Sequence, residues 1–220
     1  LYKKQTVNIG SAFLQNEWKN EKWSILLGGR LDKHNLINHV IFSPRANLRF
    51  NPSEDINLRL SYSSGFRAPQ AFDEDLHIEN VGGTVSMIER AKNLKEEKSQ
   101  SFSASADMYH RFGAFQVNFL VEGFYTRLSD VFVLENIGER DGILIKERRN
   151  GSGAKVLGLS MEGKMAYLSL FQLQAGVTLQ QSRYDEPEKW SERGPGEKKI
   201  FRTPNTYGYF TATYTPIKPL

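Results

Sequence analysis

The sequence predicts an all-β chain: an antiparallel, up-and-down segment of a transmembrane β-barrel. Three observations carry that reading. Apolar and polar residues alternate with period two through run after run. The runs are longer than soluble strands, and the connections between them go short, long, short, long.

Taken in order, weaker alternation covers 5–18, 22–33 and 42–51. Ile56, Leu58, Leu60 and Tyr62 then alternate with Asn57, Arg59, Ser61 and Ser63. Phe102, Ala104, Ala106 and Met108 alternate with Ser101, Ser103, Ser105 and Asp107. Phe115, Val117, Phe119 and Val121 alternate with Gln116, Asn118, Leu120 and Glu122. After a weaker run at 154–167, Phe171, Leu173, Ala175, Val177 and Leu179 alternate with Gln172, Gln174, Gly176, Thr178 and Gln180, and a last weak run covers 204–215. Successive side chains of a strand point to opposite faces, so each run has one apolar and one polar face. No segment has the spacing of an amphipathic helix. The result is nine strands of roughly 10–15 residues, where soluble strands run about 5–6 and bilayer-crossing strands need about 9–11.

The short connections are Asn20-Glu21, Asn51-Pro52-Ser53-Glu54, Phe112-Gly113 and Leu168-Ser169; the long ones fall near 34–41, 68–97, 129–153 and 184–203. Up-and-down barrels of the outer membrane sort their loops this way, short on the periplasmic side and long outside. Connection 129–153 carries its own hairpin, Val131-Phe132-Val133-Leu134 against Ile143-Leu144-Ile145-Lys146. Phe115, Val117, Phe119, Phe171, Leu173 and Val177 are expected outward, toward lipid, with Gln116, Asn118, Glu122, Gln172 and Gln174 inward. Trp18, Trp23, Phe50, Tyr125, Tyr167, Tyr207 and Tyr214 lie near strand ends, where interfacial girdles form. Connection 68–97 is expected to be the most exposed and mobile, with ligand recognition there and in 129–153 and 184–203.

Composition narrows the classes. With 14 Phe, 9 Tyr and 3 Trp the chain is too aromatic for disorder, and a mean hydropathy of -0.50 with 25% charged residues excludes a helical membrane protein. There is no cysteine, hence no disulfide and no thiolate chemistry. The net charge of +4 is spread over mixed-sign runs such as Lys95-Glu96-Glu97-Lys98, which points away from a nucleic-acid partner. Leu1-Tyr2-Lys3-Lys4 has no initiating Met and no signal-peptide core, and reads like the middle of a longer protein.

Ser43-Pro44-Arg45-Ala46-Asn47-Leu48, followed by the strand that ends in Gly65-Phe66-Arg67-Ala68-Pro69, resembles TonB-dependent outer-membrane receptors. The Phe-Arg-Ala-Pro box gains weight from Asn93-Leu94-Lys95-Glu96-Glu97-Lys98-Ser99, similar to the family's Asn-Leu-Lys-x-Glu-x-Ser strand start. Asn150-Gly151-Ser152-Gly153 through Glu162 resembles its re-entry strand, and Arg202-Thr203-Pro204 another strand start. The flavour resembles receptors of the Bacteroides group. The resemblance implies a 22-stranded barrel in a Gram-negative outer membrane, of which residues 1–220 are expected to be a nine-strand part from the C-terminal half, with no plug domain present. It implies TonB-dependent uptake of an extracellular nutrient ligand: siderophore-iron, haem, cobalamin or oligosaccharide. The implied partners are the TonB–ExbB–ExbD system through a plug segment missing from this stretch, outer-membrane lipid and the remaining barrel strands. The alternatives are a passive porin-like channel and a soluble all-β binding module.

No enzyme constellation and no cofactor is expected. The four histidines, His34, His39, His77 and His110, are scattered along the chain. Asp73-Glu74-Asp75-Leu76-His77 offers carboxylates to a divalent cation or is simply a solvated loop. The resemblance also implies a haem reading of His77, since haem receptors of the family place a ligating histidine between these two boxes. Arg67, His77 and Trp190 are the candidate ligand contacts. Gly65, Phe66, Arg67, Ala68, Pro69, Asn93 and Leu94 form the structural motif, whose other reading is a strand-to-loop corner.

Overall fold

Alternation on this scale can satisfy its backbone only by pairing neighbour to neighbour, and a computed structural model of the chain shows that pairing. It describes residues 6–69, 86–140, 142–188, 195–200 and 203–216. The strands are β1 (Ile9–Lys19), β2 (Trp23–His34), β3 (Val40–Ser53), β4 (Ile56–Arg67), β5 (Ser86–Arg90), β6 (Glu97–Phe112), β7 (Phe115–Ser129), β8 (Phe132–Arg140), β9 (Ile143–Asn150), β10 (Ala154–Tyr167), β11 (Phe171–Glu188), β12 (Glu197–Lys199) and β13 (Thr206–Tyr214). The nine long wall strands pair antiparallel in the order β1-β2-β3-β4-β6-β7-β10-β11-β13, and β12 joins β11 beyond β13. A second sheet, β5-β9-β8, stands at the long-loop end, with β5 parallel to β9. Among the described residues β1 pairs only with β2 and β13 only with β11, so the large sheet is open at both edges.

The tight turns have local causes. Asn20 Oδ1 accepts the Lys22 and Trp23 N–H groups at 3.0 and 2.8 Å, closing β1 onto β2. Gly113, at φ 60°, makes the β6–β7 turn in a conformation that suits glycine. The expected turn at Asn51-Pro52-Ser53-Glu54 is displaced: β3 runs on through Ser53 and the chain turns at Glu54-Asp55. A register shift between Phe50 and Ser53 leaves Pro52 outside the paired ladder, where its missing N–H costs nothing.

Register fixes the faces. Phe115, Val117, Phe119, Val121 and Tyr125 pair directly with Tyr167, Met165, Gly163, Met161 and Leu157, and these with Phe171, Leu173, Ala175, Val177 and Gln181. The same face continues through Phe102, Ala104, Ala106 and Met108 to Tyr62, Leu60 and Leu58, then Leu48, Ile25 and Trp18. Gln116, Asn118, Glu122, Gln172 and Gln174 share the opposite face, as expected. From Phe115 to Tyr125 the apolar band is about 25 Å tall at a rise of ~3.3 Å per residue and a tilt of ~40°.

Aromatics border this band on both sides. At the short-turn end Trp23 stacks on Phe50 with centroids 4.2 Å apart, and Phe115 meets Phe112 at 5.5 Å and Tyr167 at 4.7 Å. At the other border Tyr62 meets Phe102 at 4.7 Å, with Tyr125 beside it. Tyr207 departs from the girdle expectation: it pairs with Thr178 and belongs to the polar face.

The hairpin foreseen in 129–153 is β8–β9, while β5 and β12, of five and three residues, were not foreseen. Connection 68–97 corrects an expectation where it is described: residues 86–90 form a strand, and Ile88 and Glu96 are buried.

Candidate functional site

The long-loop end is where the sequence motifs meet. β4 leaves the sheet through Gly65-Phe66-Arg67-Ala68-Pro69, and any side chain at Gly65 would press to 3.2 Å from Ser99 Oγ on β6. Arg67 donates to Glu97 Oε2 at 3.1 Å, and its guanidinium lies 4.8 Å from the centre of the Phe132 ring. The same Glu97 oxygen accepts the Phe132 N–H at 3.0 Å. One residue each from β4, β6 and β8 thus fastens the foot of the β8–β9 ribbon to the wall. Arg67 is therefore engaged within the protein, with its side chain still 48% exposed. Ala68 and Phe66 complete a small apolar core with Ile37 and Ile41 under the β2–β3 connection. Pro69 offers its carbonyl to Arg90 Nη1 at 3.1 Å, linking the end of the box to β5.

Lys92 and Asn93 make the turn that re-enters the wall, closed by Leu94 N–H to Ala91 O at 3.2 Å. The next residue, Lys95, gives its N–H to Asn150 Oδ1 at 2.8 Å, and Asn150 Nδ2 donates to the carbonyls of Lys95 (3.1 Å) and Asp130 (2.8 Å). One amide thereby holds three loop segments. Beside it, Glu96 Oε1 accepts from His39 Nε2 and Lys98 Nζ, both at 3.0 Å. Burial alone would push this carboxyl up; a backbone N–H bond, the Lys98 ammonium and His39 together hold it below the usual carboxylate value. Across the sheet, burial pushes the Glu188 carboxyl up, against the pull of Arg149.

The polar face is a hydrogen-bonded wall. Glu162 accepts from Tyr209 and pairs with Lys164 at 2.7 Å, and Gln174 donates to the Tyr209 hydroxyl at 2.9 Å. Asp107 accepts from Tyr109 at 2.9 Å and also from Asn118. On β3 and β4, Arg49 lies directly opposite Arg59, and Arg49 Nε is buried without an acceptor among the described residues. This surface presents hydrogen-bonding and charged groups. His77, Trp190 and Arg202 lie outside the described residues. Glu97, Phe132 and Asn150 carry the corner, and the sequence reading missed them as partners. The signals were that Glu97 is the Glu of the Asn-Leu-Lys-x-Glu-x-Ser stretch and that Asn150 opens the Gly-Ser-Gly stretch.

The sequence matches the family described as TonB dependent receptor-like, beta-barrel over residues 1–219. The chain belongs to the TonB-dependent receptors. Its fold is similar to that of the siderophore receptor PirA from Pseudomonas aeruginosa, with a TM-score of 0.70 at 17% identity over 96% of this chain and 43% of that one. It is similar also to PirA from Acinetobacter baumannii (TM-score 0.65, 14% identity, 96% of this chain and 32% of that one). A third likeness is to the FrpB iron transporter from Neisseria meningitidis, F3-3 variant (TM-score 0.60, 16% identity, 81% and 26%). The chain thus spans less than half the length of these solved receptors. Comparison with curated proteins returned no match. Membership places the receptor in the outer membrane of a Gram-negative bacterium. The apolar face therefore meets lipid, the polar face meets the lumen, and the motif corner lies at the extracellular end.

Proposed function

We propose that residues 1–220 are part of the barrel wall of a receptor that takes up a scarce nutrient in a TonB-dependent step. The observation that carries this is the two-faced sheet, with a hydrogen-bonded polar lumen surface and loops knitted together at one end only. In this reading the remaining strands close the barrel and a plug segment occupies the lumen. TonB–ExbB–ExbD acts through that plug, the cargo enters from the extracellular loops, and the wall performs no catalysis. Siderophore-iron, haem, cobalamin and oligosaccharide remain the cargo classes. Siderophore-iron is first to test, because the fold resembles structures described as a siderophore receptor and an iron transporter. A strain lacking the gene should lose growth on one of these cargoes as sole source and regain it with the full-length gene. Unimpaired growth on all four would overturn the reading.

A further inference from the structure

We propose that Asn150 and Gly151 form a self-modification site, where the side-chain amide of Asn150 is hydrolysed when the β8–β9 ribbon opens, and that the product no longer fastens the ribbon. Asn150-Gly151 is the one Asn-Gly pair in the chain. The pair is labile because asparagine carries an electrophilic amide, and glycine puts no side chain in the way of the backbone nitrogen that follows it. In the step itself the Gly151 nitrogen loses its proton and bonds to Asn150 Cγ, the Cγ–Nδ2 bond breaks, and ammonia leaves. Water then opens the five-membered imide to aspartate or isoaspartate. Water is the only co-reactant, and nothing is oxidised or reduced.

The fold needs both residues as they are. Asn150 must be an amide, because its oxygen accepts from Lys95 while its nitrogen donates to the carbonyls of Lys95 and Asp130. Gly151 must be glycine, because a Cβ there would lie 2.8 Å from Val133 Cγ1 and 3.1 Å from Glu188 Oε1. The same contacts guard the pair. The Gly151 N–H donates to Val131 O at 2.7 Å, which engages the nucleophile, and three bonds hold the amide it would attack. Both guards sit at one foot: Asp130 and Val131 lead into β8, Asn150 ends β9, and Arg67, Glu97 and Phe132 fasten them to the wall. Local opening of that foot frees nitrogen and amide together. Both residues are partly exposed, so water reaches them. The product cannot close the foot again. A carboxylate at position 150 has no hydrogen to give, and its oxygens would face the carbonyls of Lys95 and Asp130. Isoaspartate also adds a carbon to the backbone before the Gly-Ser-Gly stretch. The extracellular end thus carries a one-way record of ribbon opening, whatever the cargo.

The test uses the full-length receptor in non-ionic detergent, incubated in warm, mildly alkaline buffer, with peptide mass spectrometry reading the loss of ammonia and gain of water at Asn150. A synthetic peptide of residues 146–156 sets the unguarded rate. The receptor should be modified about tenfold or more slowly than the peptide, and Arg67→Ala should raise the receptor's rate about tenfold by loosening the foot. Hydrogen exchange over 132–150 should be faster in the modified fraction than in the unmodified one. Equal rates in receptor and peptide would overturn the proposal, as would a rate that Arg67→Ala leaves unchanged or a modified fraction that exchanges like the unmodified. Should Arg67→Ala not fold, Phe132→Leu, which removes the ring and keeps the Arg67–Glu97 pair, must accelerate the modification; no acceleration there would overturn it as well.

Discussion

Leu120 and Val121 are neighbours on β7 at one depth and on opposite faces, which turns the lipid-versus-lumen assignment into a two-variant experiment. Val121 lies six residues from Phe115 and four from Tyr125. At a rise of ~3.3 Å and a tilt of ~40° it is about 15 Å above the lower aromatic row, near the middle of the band. Arginine there would meet hydrocarbon, at a cost of about 2–4 kcal/mol. Leu120 faces the lumen and is paired directly with Asp107 on β6 and Glu162 on β10. Arginine there gains two carboxylates, worth about 0–1 kcal/mol in its favour at a wet surface. Val121→Arg should therefore lower stability by about 3 kcal/mol relative to Leu120→Arg, on the order of a hundredfold in the folded-to-unfolded ratio. The assay is guanidinium unfolding of the full-length receptor in lipid vesicles, with heat-modifiable gel mobility reporting the folded barrel. Equal losses from the two variants, or a larger loss at Leu120, would refute the face assignment.

Three further outcomes follow from the extracellular corner. Arg67→Ala should loosen the ribbon by about 1–2 kcal/mol, from one part-exposed ion pair and one cation–π contact, seen as faster hydrogen exchange over 132–150. Arg67→Lys should recover less than half of that, because an ammonium lacks the planar fork; unchanged exchange in both variants would count against the knot. Asn150→Ala deletes three hydrogen bonds and should cost about 2 kcal/mol locally, with residues 93–97 and 130–132 exchanging faster together. Glu96 has a lowered carboxyl pKa in the folded state, so its stabilisation is fully present above the ordinary value of 4.5 and is lost as pH falls through the lowered one. Proteolysis of the long-loop end should accelerate below about pH 4.5 in the unaltered receptor. Glu96→Gln should flatten that dependence, and an unflattened profile would assign it to another group.

The strands were legible in the sequence because a wall between lipid and water writes its two environments into alternate residues. Phe171 to Gln180 shows this almost letter by letter, and β11 continues beyond it to Glu188 because the strand rises above the band into water, where alternation is no longer enforced. β5 escaped because five residues leave no periodic trace, and parallel pairing to a distant strand has no local signature. The turn at Asn51-Pro52 was misplaced because both are turn residues by local preference, while pairing across the sheet decided that the strand continue. The Phe-Arg-Ala-Pro box named Arg67, but its partners Glu97 and Phe132 are thirty and more residues away and are visible only once the strands are assembled.

The parallel pairing of β5 with β9 has a consequence for how such a surface can change. Antibodies and phages press hardest on the outermost loops, and a loop that hangs alone can drift, lengthen or be exchanged without regard to its neighbours. Here β9 is the middle strand between β5 and β8, so two connections far apart in the chain share one set of hydrogen bonds. A graft that moved only 129–153 between receptors would strand β5 without its ladder, and one that moved only 68–97 would bare an edge of β9. Escape variants should therefore accumulate at the ribbon tip, while the two paired strands are inherited as one unit.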